Sequence, residues 1–451
     1  MDGSILILAF LISLGFMLVS IIRFKLHPFL ALLIACLLMG GIGGMAPMTI
    51  LSKIAEGFGG IMGEIGIIIF LGVILGQVLH DTGCTKQIAH TMLGAIGAKN
   101  SPTAINLTGY IISIPVFFDV AFIILISLLK QLSIDGKVAL NVLVTSLVVG
   151  LMCTHAMVIP TPGPVAVAGA FGANIGWFIV YGAIVAMVGS ITGGLLYTKW
   201  LAKHPVWVRD EEFLNQPADI DDSTEDKPSG VLGIFFILLP IFLIILAKII
   251  LSFTDEGSTA HTMVSFCGDT VTVLLVTVFL VFLALRKHLD KSFDSVITDA
   301  AGSVGVILAI IGAGGAFGTV ISASGLGDHI VTLLRGWNMP IMFLGFCLAM
   351  FLHAGLGSVT VALVTATAVV SPVALQMGAD PILCGLAICA GGMGMGLPSD
   401  SGFWTVGKFA QFTTKEIFFV YTIPLTIAAV ASLVAITILD MFRGVLPGLL
   451  G

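Results

Sequence analysis

Apolar residues in this chain form long, nearly unbroken runs separated by short polar joints. That pattern shows neither the alternation of a half-buried strand nor the narrow stripe of a surface helix. Ile5–Ile22, Phe29–Met45, Ile65–Leu79, Val231–Leu251 and Val271–Leu285 are examples, and a helix needs roughly 18 or more such residues to cross a bilayer. The pattern predicts an all-α polytopic membrane protein. Composition agrees: 58% of the 451 residues are hydrophobic and 10% charged, against roughly 25% charged in soluble domains. The first run lacks a basic flank and a small-residue cleavage site, so it is read as a retained helix, not a signal peptide.

One long polar stretch, 199–230, interrupts the apolar pattern and carries the acidic runs Asp210–Glu212 and Asp219–Asp226. It reads as a cytoplasmic linker between a first repeat, 1–198, and a second, 231–451. The halves match in order. LGQVLHDTG, Leu75–Gly83, aligns with FGTVISASG, Phe317–Gly325, through Gly76-x6-Gly83 and Gly318-x6-Gly325. At the same spacing Pro115–Asp119 falls on Gly357–Val361, and Trp177–Tyr181 matches Ile417–Tyr421 at nearly that spacing. Such ordered self-similarity argues for duplication. Threading each half as about five crossings plus one re-entrant hairpin leaves only Lys53, Lys248, Arg335 and Arg443, of 19 Lys and Arg, outside the cytoplasm. Under this positive-inside arrangement the hairpins, about 101–130 and 340–376, enter from opposite sides, which predicts inverted repeats.

Four places break the helical pattern. Two are the hairpin turns at Pro115–Asp119 and His353–Ser358. The others are the unwound segments predicted at 155–164, with Pro160, Pro162 and Pro164, and at 394–404, with Pro398. A single break could be a kink or a surface loop. Two symmetry-related pairs predict half-helices meeting in one midplane cavity, where transporters of this architecture bind substrate and ion.

Candidate chemistry lies at these breaks. Asp119, amid Phe117, Phe118 and Phe122, is a carboxylate at costly depth and the expected proton carrier, with helix capping as its plain alternative. Asp400, in the Ser399–Gly402 turn, joins it as a second proton-coupling candidate and as a cap for the helix that follows. His155 and His353 could be hydrogen-bonded packing residues or relays, and His155 is assigned to the substrate site. Ser358, Thr360 and Ser401 offer hydroxyls there, and Thr161 and Gly163 of the proline segment are placed with them. No Lys or Arg falls within the breaks, so an anion would be held by helix N-termini, backbone N–H groups and hydroxyls. Leu51–Ile61 and Ile88–Gly97 read as amphipathic connectors along the interface, and Gly312–Gly318 as a close helix contact. The seven cysteines form no CxxC pair, and neither disulfide, metal site nor cofactor is expected. Neither an HExxH motif nor a GxSxG elbow accompanies the buried His and Asp residues, which argues against an enzyme.

At Pro115–Asp119, His155 with Pro160–Pro164, Gly312–Gly318, Gly357–Ala362 and Asp400–Trp404, the chain resembles the gluconate permease (GntP) family of the ion-transporter superfamily. The resemblance implies proton-coupled import of gluconate or a related sugar acid, with D-serine or another small hydroxy or amino acid as the alternative cargo. It also implies an elevator-like motion, a homodimer and the bacterial inner membrane, with no nucleic-acid partner. A sodium-coupled carboxylate carrier is the rival within transporters, and a channel the rival outside them.

Overall fold

A computed structural model describes residues 3–97, 100–136, 138–203, 227–251, 253–255, 257–326 and 340–449. Among them every regular element is helical. The first half comprises α1 (Gly3–Ile22), α2 (Pro28–Ile42), α3 (Pro47–Asp81), α4 (Cys84–Ile96), α5 (Ser101–Ile112), α6 (Phe118–Gly136), α7 (Leu140–Met157), α8 (Pro162–Ala170) and α9 (Ile175–Gly189). A π-helical stretch, Ser190–Leu196, joins α9 to α10 (Tyr197–Lys203). The second half comprises α11 (Gly230–Leu251), α12 (Thr259–Cys267), α13 (Thr270–Leu285), α14 (Phe293–Ala323), α15 (Ile341–Leu356), α16 (Val359–Gln376), α17 (Pro381–Met393), α18 (Ser401–Phe409) and α19 (Thr414–Ile417). A second π stretch, Phe418–Thr422, leads into α20 (Ile423–Met441). Eight helical segments among the described residues are long and apolar enough to cross a membrane.

The two longest helices, α3 and α14, lie against each other through small residues. A methyl group on Gly57 would sit 2.8 Å from Ala316 Cα, and one on Gly315 would sit 2.7 Å from Gly57 O. Backbones can approach this closely only where side chains are missing, the usual basis of helix association in lipid. Gly312–Gly318 is therefore a packing face, as its spacing predicts. Leu51–Ile61 is not a separate connector: it is the first third of α3, continuous with the span that follows.

The centre of the molecule is α7, whose 18 residues are all buried. Polar groups fasten α5 to it, to α9 and to the π stretch that follows α9. Asn106 Nδ2 donates to Ser146 O at 2.9 Å, Ser190 Oγ donates to Asn106 Oδ1 at 2.8 Å, and Tyr110 OH donates to Ala183 O at 2.6 Å. Each such bond contributes about 0.6 kcal/mol in a membrane interior, so the cluster fixes position more than it adds stability. Where re-entrant hairpins are expected, about 101–130 and 340–376, the chain forms the helix pairs α5–α6 and α15–α16. Of the linker, residues 204–226, including both acidic runs, lie outside the described residues.

Candidate functional site

The turn of the second hairpin depends on Gly357. Its φ is +68°, a left-handed conformation that glycine adopts without strain, and a side-chain carbon there would collide with Ser399 O. Ser358 then caps α16, its Oγ accepting from Val361 N at 3.5 Å. The first turn of α16 carries no acid. In the first hairpin α6 opens at Phe118, with Asp119 in its first turn.

The two unwound segments are shorter than their sequence predicts. The segment expected at 155–164 is helical to Met157 and helical again from Pro162, so only Val158–Thr161 is open and His155 sits in the last turn of α7. Trans-membrane helix continues as far as its hydrogen bonds can be kept, and only the cis Ile159–Pro160 bond and its neighbours fall outside. The segment expected at 394–404 is open over Gly394–Asp400, and α18 restarts at Ser401. Its freed backbone groups are taken up by side chains. Met395 N donates to Thr426 Oγ1 at 3.1 Å, Thr422 Oγ1 donates to Gly396 O, and Trp404 Nε1 donates to Pro398 O at 2.7 Å. Ser399 Oγ donates to Ala354 O at 2.7 Å, tying the turn to the end of α15.

These elements enclose a cavity of about 290 Å³ that brings together Asp119, His155, Ser358, Thr360, Asp400 and Ser401. Phe117, Phe118, Met152, Val306, Ile307 and Ile310 supply its apolar wall, and no Lys or Arg lines it. Two other residues placed here from sequence are elsewhere. Thr161 is buried and donates its hydroxyl to Val158 O, closing the first break on itself. Gly163 packs under Leu363 and Thr360, so it supports the α16 arm without reaching the cavity. Both sit beside the break, but the shortness of that break turns them inward.

Three helix N-termini border the cavity, and two already carry an acid. Asp119 occupies the first turn of α6, and Asp400 caps α18 by accepting from Gly402 N at 3.0 Å. The N-terminus of α16 is the uncompensated one, with Ser358 and Thr360 beside it. Unpaired N–H groups and the positive end of the helix dipole make it the natural seat for a carboxylate. Asp119 Oδ1 and His155 Nδ1 are buried without a hydrogen-bond partner, so they are available to donors and acceptors on a ligand. A second, larger cavity of about 410 Å³ follows the same α14–α16 contact, past Thr319, Thr367 and Ser371, and is lined by Glu56 and Glu64. Its acids, without a helix N-terminus to offset them, suit an anion less well.

Two residues that sequence reasoning did not commit to the site join it through Asp400. Tyr421, in the π stretch before α20, donates its hydroxyl to Asp400 Oδ2 at 2.6 Å. His353, near the end of α15, lies 3.1 Å from the same oxygen through Nε2, and its Nδ1 is 2.8 Å from Gly394 O. Tyr421 appeared in the sequence only as a repeat match to Tyr181. That counterpart instead donates to Pro447 O, at 2.7 Å.

Comparison with known proteins gives a consistent result. A profile described as the GntP family permease matches residues 5–442. The D-serine transporter DsdX of Escherichia coli is 34% identical, covering 94% of this chain and 95% of its own length. A gluconate permease of Pseudomonas aeruginosa is 32% identical over 98% of each chain, and an uncharacterized permease of Haemophilus influenzae is 35% identical over 94% of this chain and 89% of its own. Among solved structures, the YdaH transporter of Alcanivorax borkumensis superposes with a TM-score of 0.68 at 14% identity, covering 92% of this chain and 99% of that one.

Proposed function

The chain belongs to the GntP family of permeases, and on that premise we propose that it imports a small organic acid together with a proton. It is a multi-pass membrane protein and a transporter, not an enzyme. Its relatives include both gluconate permeases and D-serine transporters. Gluconate and D-serine share a carboxylate with hydrogen-bond donors on the adjacent carbons, hydroxyl in one and hydroxyl plus ammonium in the other. The cavity offers a matching pair of ends. The carboxylate sits at the N-terminus of α16 with Ser358 and Thr360, and the donors face the unpartnered Oδ1 of Asp119. The single observation that carries this reading is the acid-free N-terminus of α16 opening into a cavity whose other charged groups are the carboxylates of Asp119 and Asp400.

Import proceeds by an elevator-like displacement of the hairpin-bearing part along α3 and α14, with Asp119 and Asp400 as the two candidate carboxylates, either of which can take up the accompanying proton. Two cavities strung along one α14–α16 contact support such a path, since α16 passes both. The ordered pairing of α5–α6 with α15–α16, and of the two breaks, supports inverted repeats. Assembly as a homodimer in the inner membrane belongs to the same reading, and cross-linking in native membranes tests it.

Purified protein in liposomes should accumulate labelled gluconate or D-serine when a proton gradient is imposed. A sodium gradient alone should drive neither, and an uncoupler should abolish uptake. Uptake driven by sodium at clamped pH would replace the proton with sodium in this scheme.

A further inference from the structure

One buried histidine stands between a backbone carbonyl and a buried carboxylate. His353 is fully buried and Asp400 is 4% exposed. His353 Nδ1 faces Gly394 O at 2.8 Å. A carbonyl oxygen only accepts, so Nδ1 carries a hydrogen and donates it. The other nitrogen, Nε2, faces Asp400 Oδ2 at 3.1 Å. In a neutral ring with hydrogen on Nδ1, Nε2 presents a lone pair. A carboxylate would then meet it acceptor to acceptor. Oδ2 also receives the Tyr421 hydroxyl at 2.6 Å, and Oδ1 receives Gly402 N–H at 3.0 Å, so no other donor enters the gap.

We propose that one exchangeable proton sits between His353 Nε2 and Asp400 Oδ2, and that this pair, not Asp119, is the proton-coupling site of the transport proposed above. The proton comes from one aqueous phase, bonds to Nε2 or Oδ2, and leaves to the other phase. With it the pair has no net charge; without it the pair carries one negative charge in a buried site, which is costly to move through a membrane. The ionisable groups facing Asp400 are Tyr421 from the π stretch, Asp119 from α6 and His155 from α7. None of them supplies the missing hydrogen in the gap. Gly357 presses the hairpin tip against Ser399, so the α16 N-terminus and the proton pair are held to one another. A bare Asp400 would repel an arriving carboxylate; a protonated pair would admit it. This makes proton binding a condition for cargo binding.

His353 does not line the cavity, so His353→Gln removes the proton site while keeping a side chain that can donate to Asp400. In liposomes, wild type should move about one proton per gluconate, whereas His353→Gln, whose Asp400 stays charged, should lose proton movement and gluconate–gluconate exchange together, each at least tenfold, while unfolding in detergent at the wild-type temperature. A His353→Gln protein that moves protons and gluconate at wild-type rates overturns the assignment. If wild type moves no protons with either gluconate or D-serine, the symport reading fails first and this one with it. Should His353→Gln not insert, nitrogen NMR of wild type labelled in its nine histidines decides. One ring must be protonated at Nδ1 with Nε2 in a strong hydrogen bond, and a spectrum with only Nε2–H rings rejects the pair.

Discussion

Tyr421 reaches Asp400 from the π-helical stretch Phe418–Thr422, and its 2.6 Å hydrogen bond joins the last long helix to the turn that restarts α18. Both partners stand where regular α-helix is interrupted. A π turn shifts the helix face by one residue, and such turns gather at functional sites. Removing the hydroxyl should therefore disturb the site without unpacking the ring, which is enclosed by Phe118 and Phe403.

Tyr421→Phe should assemble normally and lower the initial rate of gluconate uptake. A hydrogen bond to a charged group contributes about 1.5–3 kcal/mol, so a loss of about tenfold or more is expected. Uptake in liposomes, normalised to inserted protein, measures it, and an unchanged rate would show that the bond serves packing alone.

Asp119→Asn separates cargo contact from proton coupling. The unpartnered Oδ1 is offered to donors on the cargo, so KM should rise about tenfold while the ratio of protons to gluconate stays at its wild-type value. If the ratio collapses and KM does not move, Asp119 is the proton carrier after all.

Thr360→Val keeps the shape of the side chain and removes its hydroxyl at the α16 N-terminus. One lost neutral hydrogen bond corresponds to about 0.5–1.5 kcal/mol, a rise in KM of about two- to tenfold with little change in stability. Competition between labelled gluconate and unlabelled acids reads this directly.

Gly315→Val tests the scaffold instead. Its first side-chain carbon would lie 2.6 Å from Ile61 Cγ2 and 2.7 Å from Gly57 O. Forcing α3 and α14 apart should cost about 1–3 kcal/mol and lower the melting temperature by several degrees. A thermal unfolding curve in detergent that matches wild type would mean the two helices can separate freely.

Much of this architecture was legible because lipid leaves helices few options. Apolar runs marked most spans, and prolines and glycines marked all four breaks. The extent of each break was not legible, since it depends on whether side chains such as Thr422 and Thr426 arrive to satisfy the open backbone. The same reason explains Thr161 and Gly163: residue type gave their neighbourhood, whereas a three-residue difference in helix length decides which way they face. Leu51–Ile61 looked amphipathic because α3 buries one face there, Ile50 against Gly40 of α2 and Gly57 and Ile61 against α14 and α8, well before most of its circumference is buried. His353 and Tyr421 could not be joined to Asp400 from sequence, because their meeting is a tertiary event among residues 21 and 47 positions away along the chain.

The lone acid-free helix end also has a consequence for valence. A helix terminus presents about half a positive charge, confined to its first turn. That is enough to accept one carboxylate, but a citrate, a dicarboxylate or a phosphorylated sugar would bring a second anion to face Asp119 and Asp400 with nothing to neutralise it. Such a pore wall would sort solutes by charge number before it sorted them by shape, passing monoanions of differing skeletons and turning polyanions away.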